Sequence, residues 1–355
     1  MEASPNGVLL LDAKDRIEWC NARAADHFGL DPVRDPGQPV TNLIRAPEFV
    51  AHLEAGEFER PVVYRTSRGQ RTLSVLVRRY HGDARLVLSQ DLTERERSEA
   101  MRRDFVANVS HEIRTPLTVL SGFLETLRSL DLDAAERRRV LVLMTQQAER
   151  MSALVADLLT LAQLEGSPRP PSDQWVAVAG LLRAVESEAR GLSAGRHTIV
   201  AADPGPVEIA GSESELRSAL SNLLNNAVRY TPQGGHIAVG FAIHGDGRAE
   251  FSVIDDGRGV AREHLPRLTE RFYRVDSSRS RETGGTGLGL AIVKHVVERL
   301  GGDLMIDSEL GKGSAFRILL PAARVRNVAP TAPAIGDTTA PTAVAPPMPG
   351  ASTAI

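Results

Sequence analysis

The run Phe105-Val106-Ala107-Asn108-Val109-Ser110-His111-Glu112-Ile113-Arg114-Thr115-Pro116-Leu117 brings an imidazole, a carboxylate and a hydroxyl together within one short stretch. Neutral imidazole is a good nucleophile with a pKa near physiological pH. Glu112, beside it, can orient the ring or accept its proton. At about 100° per residue, the apolar stripe Phe105, Val109, Ile113, Leu117, Leu120, Leu124 and Leu127 centres near ~60° when Phe105 is set to zero. His111 then falls near ~240° and Thr115 near ~280°, so both project from the face opposite the stripe. Pro116 brings no amide N–H and should kink or loosen the turn that carries His111. Taken alone, His111 could be a solvated surface histidine. A zinc site of the helical His-Glu type would need a second histidine at 115, where Thr115 stands.

A second set of residues is spread over the C-terminal half. Asn222 and Asn226 share one helix face at i, i+4, while Leu216, Leu220, Leu223 and Ala227 supply the other. Amide oxygens are hard ligands suited to Mg²⁺ already carried by phosphates. Arg229 and Tyr230 add a cation and an aromatic ring. Asp255-Asp256-Gly257-Arg258-Gly259 follows a strand pattern directly. A carboxylate at a strand end can accept from an amino group such as that of adenine, and the glycines let the backbone approach a ligand closely. Gly284-Gly285-Thr286-Gly287-Leu288-Gly289-Leu290 opens a helix, where free amides favour phosphate. Its G-x-G-x-G spacing is not the dinucleotide fingerprint, and Gly311-Lys312-Gly313-Ser314 is not a P-loop, because Lys312 is followed by Gly and position 306 is Ile. Between the two glycine clusters, Arg271-Phe272-Tyr273-Arg274-Val275-Asp276 and the polar stretch to Glu282 read as a mobile lid with arginines able to reach phosphates.

These groups need elements to hold them. Residues 1–91 mix short strands with turns, including Val8–Leu11, Arg16–Trp19 and a late hairpin of Arg71–Tyr80 with Arg85–Gln90 around residues 81–83. This predicts a small α+β sensor-like domain. A charged helical linker covers 92–104. Two long helices follow, the first to about Leu130 and the second from about Asp133 to Glu165. Met144, Ala148, Met151, Val155, Leu158 and Ala162 give the second a coiled-coil-like seam. Such a hairpin, at 105–168, buries its stripes best against a second hairpin, which predicts a homodimeric four-helix bundle. Residues 173–322 read as an α/β sandwich, with helices near 213–230 and 288–300 on one face of a mixed sheet. The Pro-, Ala- and Thr-rich segment 323–355 is predicted to be disordered.

Composition sets limits on function. The chain has 355 residues, 42% of them hydrophobic and 25% charged, which suits two or three globular domains. A net charge of −3 gives no global pull toward nucleic acid. One cysteine, Cys20, fits a reducing compartment. No apolar run reaches the ~18 residues of a membrane helix. The expectation is a cytoplasmic chain, or the cytoplasmic part of an inner-membrane protein.

In this order, the motifs resemble those of the sensor histidine kinases of two-component systems. The resemblance covers 105–321. It places His111, Glu112 and Thr115 in an H box of the His-Glu-x-x-Thr form, and Asn226 where the family's N box binds magnesium, with Arg229 where Lys or Arg is usual. Asp255 matches the adenine-binding Asp of the first glycine box, which includes Gly257 and Gly259. Phe272 lies in the F box, and Gly285, Gly287, Leu288 and Gly289 in the second glycine box. The resemblance implies a PAS-like α/β sensor domain, a dimeric helical hairpin and an ATP-binding sandwich of the GHKL (Bergerat) type. It implies autophosphorylation of His111 with ATP and Mg²⁺, then transfer to an Asp of a response regulator. Glu112 would act as base, Thr115 would position water for phosphatase action, and Arg274 would contact phosphate.

Leu43-Ile44-Arg45-Ala46-Pro47-Glu48-Phe49, Arg267 to Asp276 and Ala291-Ile292-Val293-Lys294-His295 are similar to the phosphate-regulon (PhoR-type) branch. That branch implies a PhoB-like regulator and a PhoU-like protein meeting the PAS-like domain. The competing readings are a non-phosphorylating ATPase of the same nucleotide fold and a scaffold that has lost catalysis. Such an ATPase needs a carboxylate on the 213–230 helix to activate water. The nearest one to Asn222 there is Glu215, about two turns earlier.

Overall fold

Alternating apolar residues separated by tight turns build the first half. The computed structural model describes residues 4–56, 58–66, 71–80, 82–275 and 285–328. His81, the expected lid from Asp276 to Glu282, Gly284 and the tail from 329 lie outside the described residues. The chain divides into two units, Met1–Thr115 and Pro116–Ile355.

The first unit runs β1 (Gly7–Leu11), β2 (Ile17–Cys20), α1 (Ala22–Phe28), α2 (Val40–Leu43), α3 (Pro47–Ala55), β3 (Val62–Arg65), β4 (Thr72–Tyr80) and β5 (Ala84–Asp91). The antiparallel sheet has the order β2-β1-β5-β4-β3. Leu9, Leu11, Phe49, Leu73, Val75, Val77 and Val87 form its core, together with Cys20. The buried Asn21 side chain caps α1 by accepting from Ala24 N at 2.8 Å and ties it to β1 by accepting from Val8 N at 2.9 Å. At the end of β5, Asp91 accepts from Thr93 N, and Thr93 Oγ1 accepts from Thr72 N, both at 2.9 Å. The sheet is thereby hydrogen-bonded to the first turn of the helix that leaves it.

That helix, α4 (Thr93–Ser129), runs unbroken through the buried Pro116. Helix α5 (Ala134–Gly166) starts on a capping box between Asp133 and Glu136. Leu117 and Leu124 of the α4 stripe and Val155 of the α5 seam are 52%, 57% and 45% exposed, so the single chain leaves these positions uncovered. No described helix is long and apolar enough to cross a membrane.

The rest of the second unit continues with β6 (Trp175–Ala177), α6 (Val178–Ser193), β7 (Thr198–Ala201), β8 (Val207–Ala210), α7 (Glu213–Tyr230), β9 (His236–Ile243) and β10 (Ala249–Asp255). After the glycine loop come α8 (Gly289–Arg299), β11 (Asp303–Glu309), β12 (Gly313–Leu320) and β13 (Val325–Asn327). The larger sheet has the order β11-β12-β10-β9-β7, with only the β7–β9 pair parallel. Helices α6, α7 and α8 pack side by side, α7 against β10 and α8 against β11 and β12. A small sheet, β13-β8-β6, closes one side. Order therefore extends past 322, correcting the expected start of the disordered tail at 323. Val325 to Asn327 pair with Val207 to Ile209, because an edge strand needs only backbone donors and acceptors that the composition of the tail does not remove.

Candidate nucleotide pocket and histidine helix

Strand period places the first site residue. Along β10, Ala249, Phe251, Val253 and Asp255 alternate onto the buried face. The last of these is a carboxylate, 7% exposed at the end of the strand. Asp255 Oδ1 accepts from Gly257 N at 2.9 Å. Burial pushes the Asp255 carboxyl above the usual aspartate range, against the lowering effect of the Gly257 and Ser314 amides. A Cβ on Gly257 would stand 2.6 Å from Asp255 Oδ1 and 2.7 Å from Tyr230 O, so only glycine closes this turn.

Around Asp255 lies a cavity lined by Asn226 and Tyr230 from α7, Gly259 from the turn, Arg274, and Gly285, Gly287 and Gly289 from the loop into α8. The structure thus gathers residues from four separate motifs into one pocket. Asn226 is on the half-buried side of α7, whose other face packs Leu216, Leu220, Leu223 and Ala227. Asn222 and Arg229 flank the loop. A Cβ on Gly289 would come 2.5 Å from Asn222 Oδ1, and one on Gly285 would come 3.0 Å from Arg229 Nη1. Gly287 has φ +73, and a Cβ there would meet the Phe272 backbone at 2.9 Å. Phe272 itself has φ +64, unusual for a bulky residue, and its N–H donates to Gly287 O at 2.8 Å. The F-box residue is therefore tied by its backbone to the glycine loop. Leu288 is fully buried and fixes the loop to the core.

His111, Glu112 and Thr115 form a second group on α4. His111 and Thr115 are exposed and Glu112 is partly buried, as the helical phase requires. Thr115 Oγ1 donates to His111 O at 3.2 Å, which leaves the oxygen's lone pairs facing solvent.

Several lining residues carry no signal in the sequence. Ser314 and Phe316 arrive from β12, opposite Asp255 and Val253, and only strand register brings them in. Arg258 stacks over the Tyr230 ring at 4.6 Å, and Tyr273 Oη pairs with His264 Nδ1 at 2.7 Å. Arg258 and Tyr273 lie within the 255–259 and 271–276 motifs, but nothing in their spacing points to the wall. Thr286 lines the pocket and donates to Asp157 Oδ2 on α5 at 2.6 Å. Glu215, the carboxylate that a water-activating ATPase would need, is committed to Arg299 instead.

Comparisons with known proteins agree with this layout. A model described as histidine kinase-, DNA gyrase B-, and HSP90-like ATPase matches residues 211–324. A histidine kinase A phospho-acceptor domain matches 101–167, and a PAS domain matches 1–63. The chain is 46% identical over 331 residues to the phosphate regulon sensor protein PhoR of Pseudomonas aeruginosa, covering 92% of this chain and 74% of that protein. It is 33% identical over 317 residues to PhoR of Haemophilus influenzae, covering 89% and 74%. The sensor-like histidine kinase SenX3 of Mycolicibacterium smegmatis is 34% identical over 324 residues, with 90% and 83% covered.

Proposed function

Because the chain belongs to the sensor histidine kinases, we propose that it uses ATP to phosphorylate its own His111 and passes the phosphoryl group to an aspartate of a response regulator. The observation that carries this reading is the buried Asp255 carboxylate sharing one pocket with Asn226 and the 285–289 loop, in a chain whose α4 exposes His111.

In this reading residues 1–91 sense, 92–104 relay, 105–168 dimerise and carry the histidine, and 173–322 bind ATP. Asp255 accepts from the adenine amino group. Gly285, Gly287 and Gly289 let loop amides approach the phosphates, and Arg274 and Arg229 supply positive charge. The cavity fits a magnesium ion brought by the triphosphate, since the Asn226 amide is a hard oxygen donor on its wall. When bound, that ion neutralises charge on the phosphates. An imidazole nitrogen of His111 forms a bond to the γ-phosphorus, the bond to the bridging oxygen breaks, and ADP leaves. Glu112 takes the imidazole proton. Positioning and charge neutralisation supply most of the rate.

The uncovered stripes of α4 and α5 support a homodimer built as a four-helix bundle. Exposure of Thr115 one helical turn from His111 supports a role in positioning water for removal of phosphate from the regulator. Similarity to PhoR proteins supports a role in phosphate-starvation signalling, with a PhoB-like regulator and a PhoU-like partner of the PAS-like domain. The test is transfer of label from phosphorylated protein to a purified receiver domain. Failure of label to leave His111 for a PhoB-type receiver, while another receiver accepts it, would reject the phosphate assignment and keep the kinase.

A further inference from the structure

Helix α5 carries a second stripe beside its bundle seam. Leu154, Leu161 and Leu164 are 4%, 1% and 4% exposed, and α5 packs on α8. Asp157 sits on this stripe between Leu154 and Leu161, at helical spacings of three and four. A carboxylate there is costly unless something pairs with it. It pairs with Thr286, whose hydroxyl donates to Asp157 Oδ2 at 2.6 Å and also accepts from Leu288 N at 3.2 Å. Burial pushes the Asp157 carboxyl above the usual aspartate range, against the lowering effects of the Thr286 hydrogen bond and the Arg229 charge.

Thr286 belongs to the loop that walls the pocket, between Gly285, which lies against Arg229, and Gly287. So α5 delivers one negative charge to the donors and cation that the phosphates of a nucleotide would use. Glu165 adds an ion pair to Arg271 near the end of the same helix. Arg299 of α8 donates to Leu164 O, Ser167 O and Pro168 O at 2.6–2.8 Å. The Arg299 contacts involve no residue of the pocket wall, so they can persist when the Asp157 contact breaks.

We infer that Asp157 stands in for a phosphate oxygen, so that docking of α5 through Asp157–Thr286 and binding of the ATP phosphates compete for the 285–289 loop. Two anions cannot share one small donor set without cost. ATP therefore releases α5 from the loop, and the docked helix weakens ATP binding to the same extent, because such coupling is reciprocal. Loading the nucleotide therefore breaks the docking at Asp157, while the Arg299 contacts at the end of α5 still hold the helix to the domain. This inference rests on the ATP-site reading above.

The test uses the full chain carrying His111→Gln, so that no phosphoryl transfer consumes nucleotide. Binding of ATP with Mg²⁺, and of adenosine, is titrated in this protein and in versions that also carry Asp157→Ala or Asp157→Asn. Asp157→Asn keeps the shape and removes the charge. The expected result is ATP affinity raised about 5-fold or more by both substitutions, the low end of typical coupling between sites, with adenosine affinity unchanged. Hydrogen exchange of amides 154–164 should quicken on adding ATP to the parent protein, and should already be fast in Asp157→Ala. Equal ATP affinity in all three proteins overturns the competition and leaves the ATP site standing. An equal gain for adenosine also overturns it, because general loosening would then be the cause. Failure of every version to bind ATP overturns the ATP-site reading and the competition together.

Discussion

Arg299 of α8 and Glu215 of α7 form a pair 9% and 15% exposed at their side chains, with Arg299 Nη2 2.9 Å from Glu215 Oε1. The same guanidinium caps the C-terminal carbonyls of α5. Removing one partner strands a largely buried charge. Arg299→Ala should therefore destabilise the second unit by about 3–5 kcal/mol. Urea unfolding followed by circular dichroism reads this directly, and a loss below about 1 kcal/mol, the scale of an exposed pair, would show that the pair is solvated in practice.

Asn226→Ala should remove an oxygen ligand that no neighbouring carboxylate replaces. Affinity for ATP in the presence of Mg²⁺ should fall by roughly 10–100-fold, the scale of disturbed metal sites. Without divalent metal the two proteins should bind ATP alike. Calorimetric titration with and without Mg²⁺ separates a metal role from a general loss of the pocket.

Asp255 gives the pocket a pH dependence. Its ionised carboxylate is a stronger acceptor for the adenine amino group than the protonated form, and burial raises its pKa. Nucleotide affinity should therefore fall as the pH drops, beginning above the ordinary aspartate range. Asp255→Asn should bind weakly and show no such step. The sign for stability is opposite. A raised folded-state pKa means that the fold favours the protonated form, so its contribution is full below the ordinary aspartate pKa and is lost as pH rises through the folded value. A fluorescent nucleotide titration between neutral and acid pH checks the first sign, and chemical denaturation at the same pH values checks the second.

Thr115→Ala should keep autophosphorylation within a few fold and slow dephosphorylation of the regulator by about 2–4 kcal/mol in barrier, as for loss of one oriented hydrogen bond. The hydroxyl proton is engaged by His111 O, but the oxygen can still accept from water. If phospho-regulator mixed with mutant protein and ADP decays at the wild-type rate, Thr115 serves only its own helix turn.

Much of this arrangement was legible in the sequence because it depends on local period. The hairpin β4–β5, helix α7 and the exposed phase of His111 follow from alternation and from 100° steps. Helix α6 was not marked, since it begins directly after β6 at Ala177 with no side-chain cap. Ser314 and Phe316 reach the pocket only through the register of β12 against β10. Asp157 has no signal of its own in the sequence, because its partial burial arises from docking on Thr286, a distant part of the chain. Val325 to Asn327 were absorbed into a tail whose composition is set by the residues beyond them.

The central claim is that His111 receives the γ-phosphoryl group of ATP. Full-length wild-type protein and His111→Gln are incubated with [γ-³²P]ATP and Mg²⁺, and protein-bound label is followed for stability to acid and base. The account predicts acid-labile, base-stable label on the wild type, none on His111→Gln, and equal nucleotide affinity in the two proteins. Label of the same stability persisting on His111→Gln would contradict it.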